Sequence, residues 1–195
     1  MTFEILLSLI TFCFAAMITP GPNNLMLMTS GTNFGFRKTI PHMLGVAIGY
    51  SFMVLVVGFG VAGVIHQWPV AYNVLKVFCV IYILWLAWKI ANAAPPADRP
   101  LTARPFTFLQ AAVFQWINPK GWSMALSAVA IYSPNSELLN LFIISGVFFL
   151  VNLPSVSAWA LLGHKVRDWL SSPKHLRIFN WSMAFLLVCS LAMML

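Results

Sequence analysis

The stretch that decides the fold reads Ile18-Thr19-Pro20-Gly21-Pro22-Asn23-Asn24, and it lies inside a long apolar run at about 3–31. Two prolines and a glycine in a helix interior remove backbone hydrogen bonds and open the helix. Inside a membrane, freed backbone groups are tolerated only where protein or a water-filled cavity satisfies them. The stretch therefore predicts two half-helices that flank an irregular turn, with a plain proline kink as the alternative.

The second half-helix is predicted to begin near Asn23 or Asn24, whose side chains would cap its free N–H groups. A helix N-terminus carries partial positive charge and binds carboxylates readily. The interrupted helix therefore predicts a binding site for an anionic group at its centre.

The composition around this stretch is that of a membrane protein. Of the 195 residues, 61% are hydrophobic and only 8% are charged, whereas a soluble domain has about 25% charged residues. This composition excludes a soluble enzyme. It also excludes a nucleic-acid partner despite the net charge of +7, because basic residues gather in the cytoplasmic loops of membrane proteins. The lipid bilayer is the predicted environment.

Six apolar runs are long enough to cross a bilayer as helices, at about 3–31, 42–65, 70–91, 106–132, 137–163 and 177–195. Continuous hydrophobicity favours helices over the alternating strands of a barrel. Nine of the eleven basic residues fall in the connections after spans one, three and five, and none falls after spans two and four. The nine are Arg37, Lys38, Lys89, Arg99, Arg104, Lys165, Arg167, Lys174 and Arg177. This bias predicts these connections in the cytoplasm and both termini outside.

The fourth span carries a second interruption, Gln115-Trp116-Ile117-Asn118-Pro119-Lys120. Its Ile-Asn-Pro repeats the Ile-polar-Pro pattern of the first span. We therefore predict one transporter domain over 1–195, built from two inverted three-helix repeats at about 1–92 and 106–195. A proline-rich linker at about 93–105 joins them. Interrupted helices at matching positions of inverted halves indicate a transporter site at the repeat interface.

Lys120 lies about 20 Å along the fourth span at 1.5 Å per residue. An ionisable residue at that depth is costly and is a functional candidate, with a lysine that snorkels to the far interface as the alternative. Snorkelling is the favoured interpretation for Lys76, near the start of its span. His42 is interpreted as an interfacial histidine at a helix end. The four acidic residues lie at span ends or in loops, so no deep carboxylate is available for a sodium site or proton relay.

Two further patterns leave alternatives open. In the fifth span, Asn152, Ser155 and Ser157 either line a cavity or accompany a kink at Pro154, with the serines bonding back to carbonyls. The pair Gly45 and Gly49 predicts close helix packing, within the chain or in a homodimer.

Three blocks together resemble the LysE/RhtB family of amino-acid exporters over essentially the whole chain. They are Thr19–Asn24 with Gly31, Gly35-Phe36-Arg37 and Gly45; Tyr82–Lys89; and Gln115–Lys120. The Pro-Gly-Pro-Asn-Asn form is most similar to the branch that contains the cysteine and O-acetylserine exporter. The resemblance implies export of amino acids or related metabolites across the bacterial inner membrane, driven by the proton motive force.

The sequence thus predicts a secondary transporter that exports amino acids or close derivatives, small neutral ones in particular. Its predicted substrate-binding residues are Thr19, Pro20, Gly21, Pro22, Asn23, Asn24, Asn118, Pro119 and Lys120. No metal or cofactor is predicted, and no enzyme, because the chain has no HExxH, GxSxG or CxxC pattern and no paired deep acids. The alternative is a membrane component that does not transport, such as a channel or an assembly partner.

Overall fold

The computed structural model describes residues 1–61, 104–133, 137–166, 169 and 172–192, and scattered positions between 70 and 92. Within this part of the chain there are seven continuous α-helices and no strand. They are α1 Phe3–Ile18, α2 Pro22–Phe34, α3 Phe36–Val56, α4 Phe108–Phe114, α5 Pro119–Tyr132, α6 Leu138–Lys165 and α7 Pro173–Ala192. A π-helical turn, Val57–Val61, follows α3, and a 3₁₀ turn, Gln115–Ile117, links α4 to the second break. The positions described between 70 and 91 are also helical.

Two helical segments are long and apolar enough to cross a membrane alone: Phe36–Gly60 and Leu138–Lys165. The helices α1 and α2 pass the same test as a pair bent by 54°. The prediction of an all-helical membrane protein is therefore confirmed. Half of the third predicted span at 70–91, Lys76 included, and residues 93–103 of the linker lie outside the described residues.

Both helix breaks follow from one local rule. Helical geometry is disfavoured for a residue before proline, and Thr19 (ψ 134°) and Asn118 (ψ 104°) are both extended. Pro22 and Pro119 then begin the next helix, where a missing N–H group costs nothing. The predicted interruptions of the first and fourth spans are confirmed. The plain kink is wrong for the first span, because α1 ends before α2 begins.

The second span begins earlier than its predicted start at about 42. Gly35, with a positive φ of 80°, closes α2 by donating its N–H to Gly31 O at 2.9 Å, and α3 begins at the next residue. The exposed Arg37 and Lys38 extend α3 beyond the apolar run. His42 therefore lies within α3 and is only 2% exposed. Its predicted position at a helix end is wrong.

The glycines of α3 allow a close crossing within the chain. A Cβ added at Gly45 would lie 2.3 Å from Phe108 O, and one at Gly49 would lie 2.5 Å from Ala112 Cα. The pair therefore packs α3 against α4, which decides between the two alternatives for its packing. It gives no support to a homodimer, which stays a prediction.

The largest buried cluster joins α1, α3, α5 and α6 on one side of the helix breaks. At its centre the rings of Tyr50 and Phe148 meet edge to face, with centroids 5.1 Å apart. Tyr50 also donates its hydroxyl to Gly121 O at 3.3 Å. This contact ties the apolar core to the first turn of α5, at the second break.

Candidate functional site

The two helix breaks meet through Lys120. Its ammonium Nζ donates to Thr19 O, the carbonyl next to the end of α1, at 2.8 Å. The side chain therefore contacts the other break and does not snorkel to an interface, so that alternative is wrong. Among the described residues, Nζ has no other hydrogen bond and no acidic partner.

Side chains from other helices satisfy the carbonyls freed at the end of α1. Asn24 Nδ2 donates to Met17 O at 2.7 Å and to Thr19 O at 3.0 Å. Ser155 Oγ, from α6, donates to Met17 O at 2.9 Å. These hydrogen bonds replace the water that would otherwise bind the free carbonyl groups at the end of a helix.

The predicted capping role of the asparagines is wrong. Because Pro22 takes the first helical position, Gly21 becomes the N-cap residue, and α2 has no side-chain cap. Asn23 instead forms a reciprocal amide pair with Gln115: Asn23 Nδ2 donates to Gln115 Oε1 at 2.8 Å, and Gln115 Nε2 donates to Asn23 Oδ1 at 3.1 Å. The first-turn N–H groups of α2 are thereby left open to another acceptor.

A cavity of about 30 Å³ lies between the two breaks. Its walls are Ala16, Met17, Gly21, Pro22, Asn23, Asn24, Tyr50, Asn118, Lys120, Gly121 and Asn152. Six of the nine predicted site residues are among them. Thr19 contributes its carbonyl to Lys120, while Pro20 and Pro119 shape the backbone and do not line the cavity.

The cavity combines a positive electrostatic character with free polar groups. The N-termini of α2 and α5 both border it, beside the Lys120 ammonium, and helix N-termini carry partial positive charge. Asn118 Oδ1 is buried without a hydrogen-bond partner among the described residues. A Cβ at Gly21 would lie 3.0 Å from Lys120 Cδ, so glycine gives the lysine its room. The charge and hydrogen-bonding groups of this arrangement are chemically suited to a small carboxylate.

Four contributors were not among the predicted site residues: Gln115, Tyr50, Asn152 and Ser155. Asn152 lines the cavity and Ser155 bonds to α1, whereas Ser157 bonds back to Leu153 O at 2.7 Å. Cavity lining therefore holds for Asn152 and back-bonding for Ser157, while the kink at Pro154 stays a prediction. In the sequence, the signal that could have identified these contributors was a polar side chain within an apolar run.

The chain matches the model of one protein family, LysE type translocator, over residues 14–195. It is 32% identical over 159 residues to a cysteine/O-acetylserine efflux protein of Salmonella paratyphi A, covering 79% of this chain and 80% of the relative. It is 30% identical over 169 residues to the protein of that name from Escherichia coli K12, covering 84% of this chain and 85% of the relative. The chain matches no solved structure.

Proposed function

The chain belongs to the LysE type translocator family, and from this premise we propose that it exports small neutral amino acids or close derivatives across the bacterial inner membrane. The names of the efflux relatives support cysteine and O-acetylserine as first candidates. Translocators move a substrate without changing it chemically, so the prediction that the chain is not an enzyme is confirmed by family membership.

The observation that carries this proposal is the unpaired ammonium of Lys120 beside two helix N-termini. A buried charge needs a counter-ion, and the described residues supply none. The carboxylate of an amino acid would supply that charge. When Lys120 turns from Thr19 O to the carboxylate, a lone pair of that carbonyl is released for the substrate ammonium. The nine predicted substrate-binding residues surround or shape this exchange.

We propose alternating access by movement of one three-helix repeat against the other, with repeats at about 1–92 and 106–195 and the linker at about 93–105. A cavity of about 30 Å³ has room for about two water molecules, less than any amino acid occupies. Binding therefore requires the half-helices to separate. The interruptions at Thr19 and Asn118 are the positions where they would hinge, as in transporters with broken helices.

We propose six spans with both termini outside, and the charges at the two ends of the described helices support this orientation. At one end Gly35 neighbours His164, which brings Arg37 and Lys38 of α3 near Lys165 of α6. At the other end, Ser8 Oγ lies 3.1 Å from Tyr132 Oη, joining the start of α1 to the end of α5. The acidic Glu4 and Glu137 belong to that second end. Cytoplasmic loops carry the basic residues, so the first end is proposed to face the cytoplasm.

This orientation predicts opposite labelling of two exposed positions. In a background in which the three cysteines are replaced, Glu137→Cys should react with a membrane-impermeant maleimide on spheroplasts. Lys38→Cys should react only after the membrane is opened. The reverse pattern would overturn the proposed orientation.

We further propose that the proton motive force drives export, with Lys120 as the group that exchanges a proton. Purified protein in liposomes loaded with cysteine, O-acetylserine or another neutral amino acid should give saturable efflux. Efflux should accelerate when a pH gradient drives protons in the opposite direction, into the liposomes. Saturable flux that does not depend on the gradient would overturn the proposed proton coupling but not the proposed export. Absence of saturable flux for every amino acid would favour the channel or assembly partner.

A further inference from the structure

A second cavity, of about 310 Å³ and with mainly apolar walls, opens at the basic end of the molecule. It lies between α2, α3 and residues 104–106. Its polar walls include Thr29, Asn33, His42 and Arg104, and its apolar walls include Phe106. We call it the His42 vestibule.

Two polar atoms of its lining residues are buried without hydrogen-bond partners among the described residues. His42 is 2% exposed, and its Nδ1 has no hydrogen bond among the described residues; the same holds for Thr29 Oγ1. Buried polar groups are nearly always hydrogen-bonded, so each of these atoms lacks a partner that is expected of it. The Phe106 ring lies 5.3 Å from the imidazole, centroid to centroid, and fixes its position.

The vestibule and the central cavity share one face of α2. Asn23 lines the central cavity, and Met26, Ser30 and Asn33 line the vestibule. Spacings of three and four residues place them along a single stripe. Asn23 and Thr29 are about 9 Å apart along the axis at 1.5 Å per residue. The vestibule and the helix breaks are thus only a short distance apart along α2.

We propose that the His42 vestibule is a second substrate site, which binds the amino acid from the cytoplasm before it enters the central cavity. This proposal rests on the proposed export function. The Arg104 guanidinium is exposed and supplies the charge for the substrate carboxylate. Thr29 and His42 supply neutral hydrogen-bonding groups. The volume of about 310 Å³ accommodates a small amino acid without rearrangement.

Two mild variants test the vestibule by transport kinetics. Thr29→Val removes a hydroxyl that has no protein partner, so the fold should persist, and Arg104→Gln changes an exposed residue. Each should raise the KM measured from the cytoplasmic face by about tenfold, the loss of one charge-assisted hydrogen bond. The maximal rate should stay nearly constant. The matched control is Arg37→Gln, an exposed arginine at the same end that does not line the vestibule.

Binding in detergent separates this proposal from the export function. By calorimetry, Lys120→Met should still bind the amino acid, and adding Arg104→Gln should abolish that binding. If the wild type exports but neither Arg104→Gln nor Thr29→Val raises KM, the vestibule proposal falls and the export function stands. Binding of inorganic phosphate, but not of the amino acid, at Arg104 would identify a simple anion site and also overturn the proposal. If the wild type does not export, Arg104-dependent amino-acid binding would still support the site.

Discussion

Replacement of Lys120 by methionine is expected to lower export by about a hundredfold or more, because truncating one partner of a buried charged pair is that costly. In the proposed cycle the ammonium is the counter-ion of the substrate carboxylate. The described residues offer no second cation in the central cavity. The loss should therefore appear in transport of every substrate that carries a carboxylate.

The fold should survive this substitution. Thr19 O loses the Lys120 bond but keeps its hydrogen bond from Asn24 Nδ2 at 3.0 Å, so no carbonyl is left bare. Methionine also keeps most of the apolar stem of lysine. Size-exclusion chromatography should give a wild-type profile, while efflux from liposomes measures the loss.

The matched control is Lys38→Met, which removes an exposed lysine from the first turn of α3. Its efflux should stay within about twofold of the wild type, since exposed charges contribute little. Normal efflux by Lys120→Met, with protein amounts equal, would contradict the role assigned to the ammonium.

The backbone of the site could be predicted from the sequence because proline acts locally. Thr19 and Asn118 are extended for the reason that Pro20 and Pro119 follow them. Proline alone does not decide an interruption, since Pro41 and Pro154 lie inside the continuous helices α3 and α6. The resemblance to a transporter family likewise depended on short contiguous blocks.

The side-chain partners could not be predicted in this way. Asn23 pairs with Gln115 at a sequence separation of 92 residues, and local pattern does not encode such a pairing. The caps assigned to Asn23 and Asn24 were wrong because α2 begins at Pro22, ahead of both asparagines. His42 was misplaced since hydropathy marks an apolar run, whereas α3 continues past it through exposed charges.

Replacement of Gly163 by alanine is expected to prevent normal assembly of the helices. A Cβ at this position would lie 2.0 Å from Met28 O, and one at Gly31 would lie 2.1 Å from Ala160 O. Both obstacles are backbone atoms, so no side-chain rotation can relieve them. The helices α2 and α6 would have to separate. That movement would also break the hydrogen bond from Thr32 Oγ1 to Gly163 O, now 2.9 Å.

Gly146 supplies the matched control on the same helix, because a Cβ added there meets nothing within 4 Å. Alanine is favoured over glycine in a helix interior by about 1 kcal/mol, so Gly146→Ala should leave the melting temperature unchanged or raise it. Gly163→Ala should instead lower it sharply or yield aggregated protein, as read by size-exclusion fluorescence after heating. Equal melting temperatures for the two variants would contradict the backbone contact between α2 and α6.

That contact keeps α2 against α6, the helix whose Ser155 holds the end of α1 through Met17 O. Loss of this helix contact should therefore abolish export, even though neither Gly31 nor Gly163 lines the central cavity.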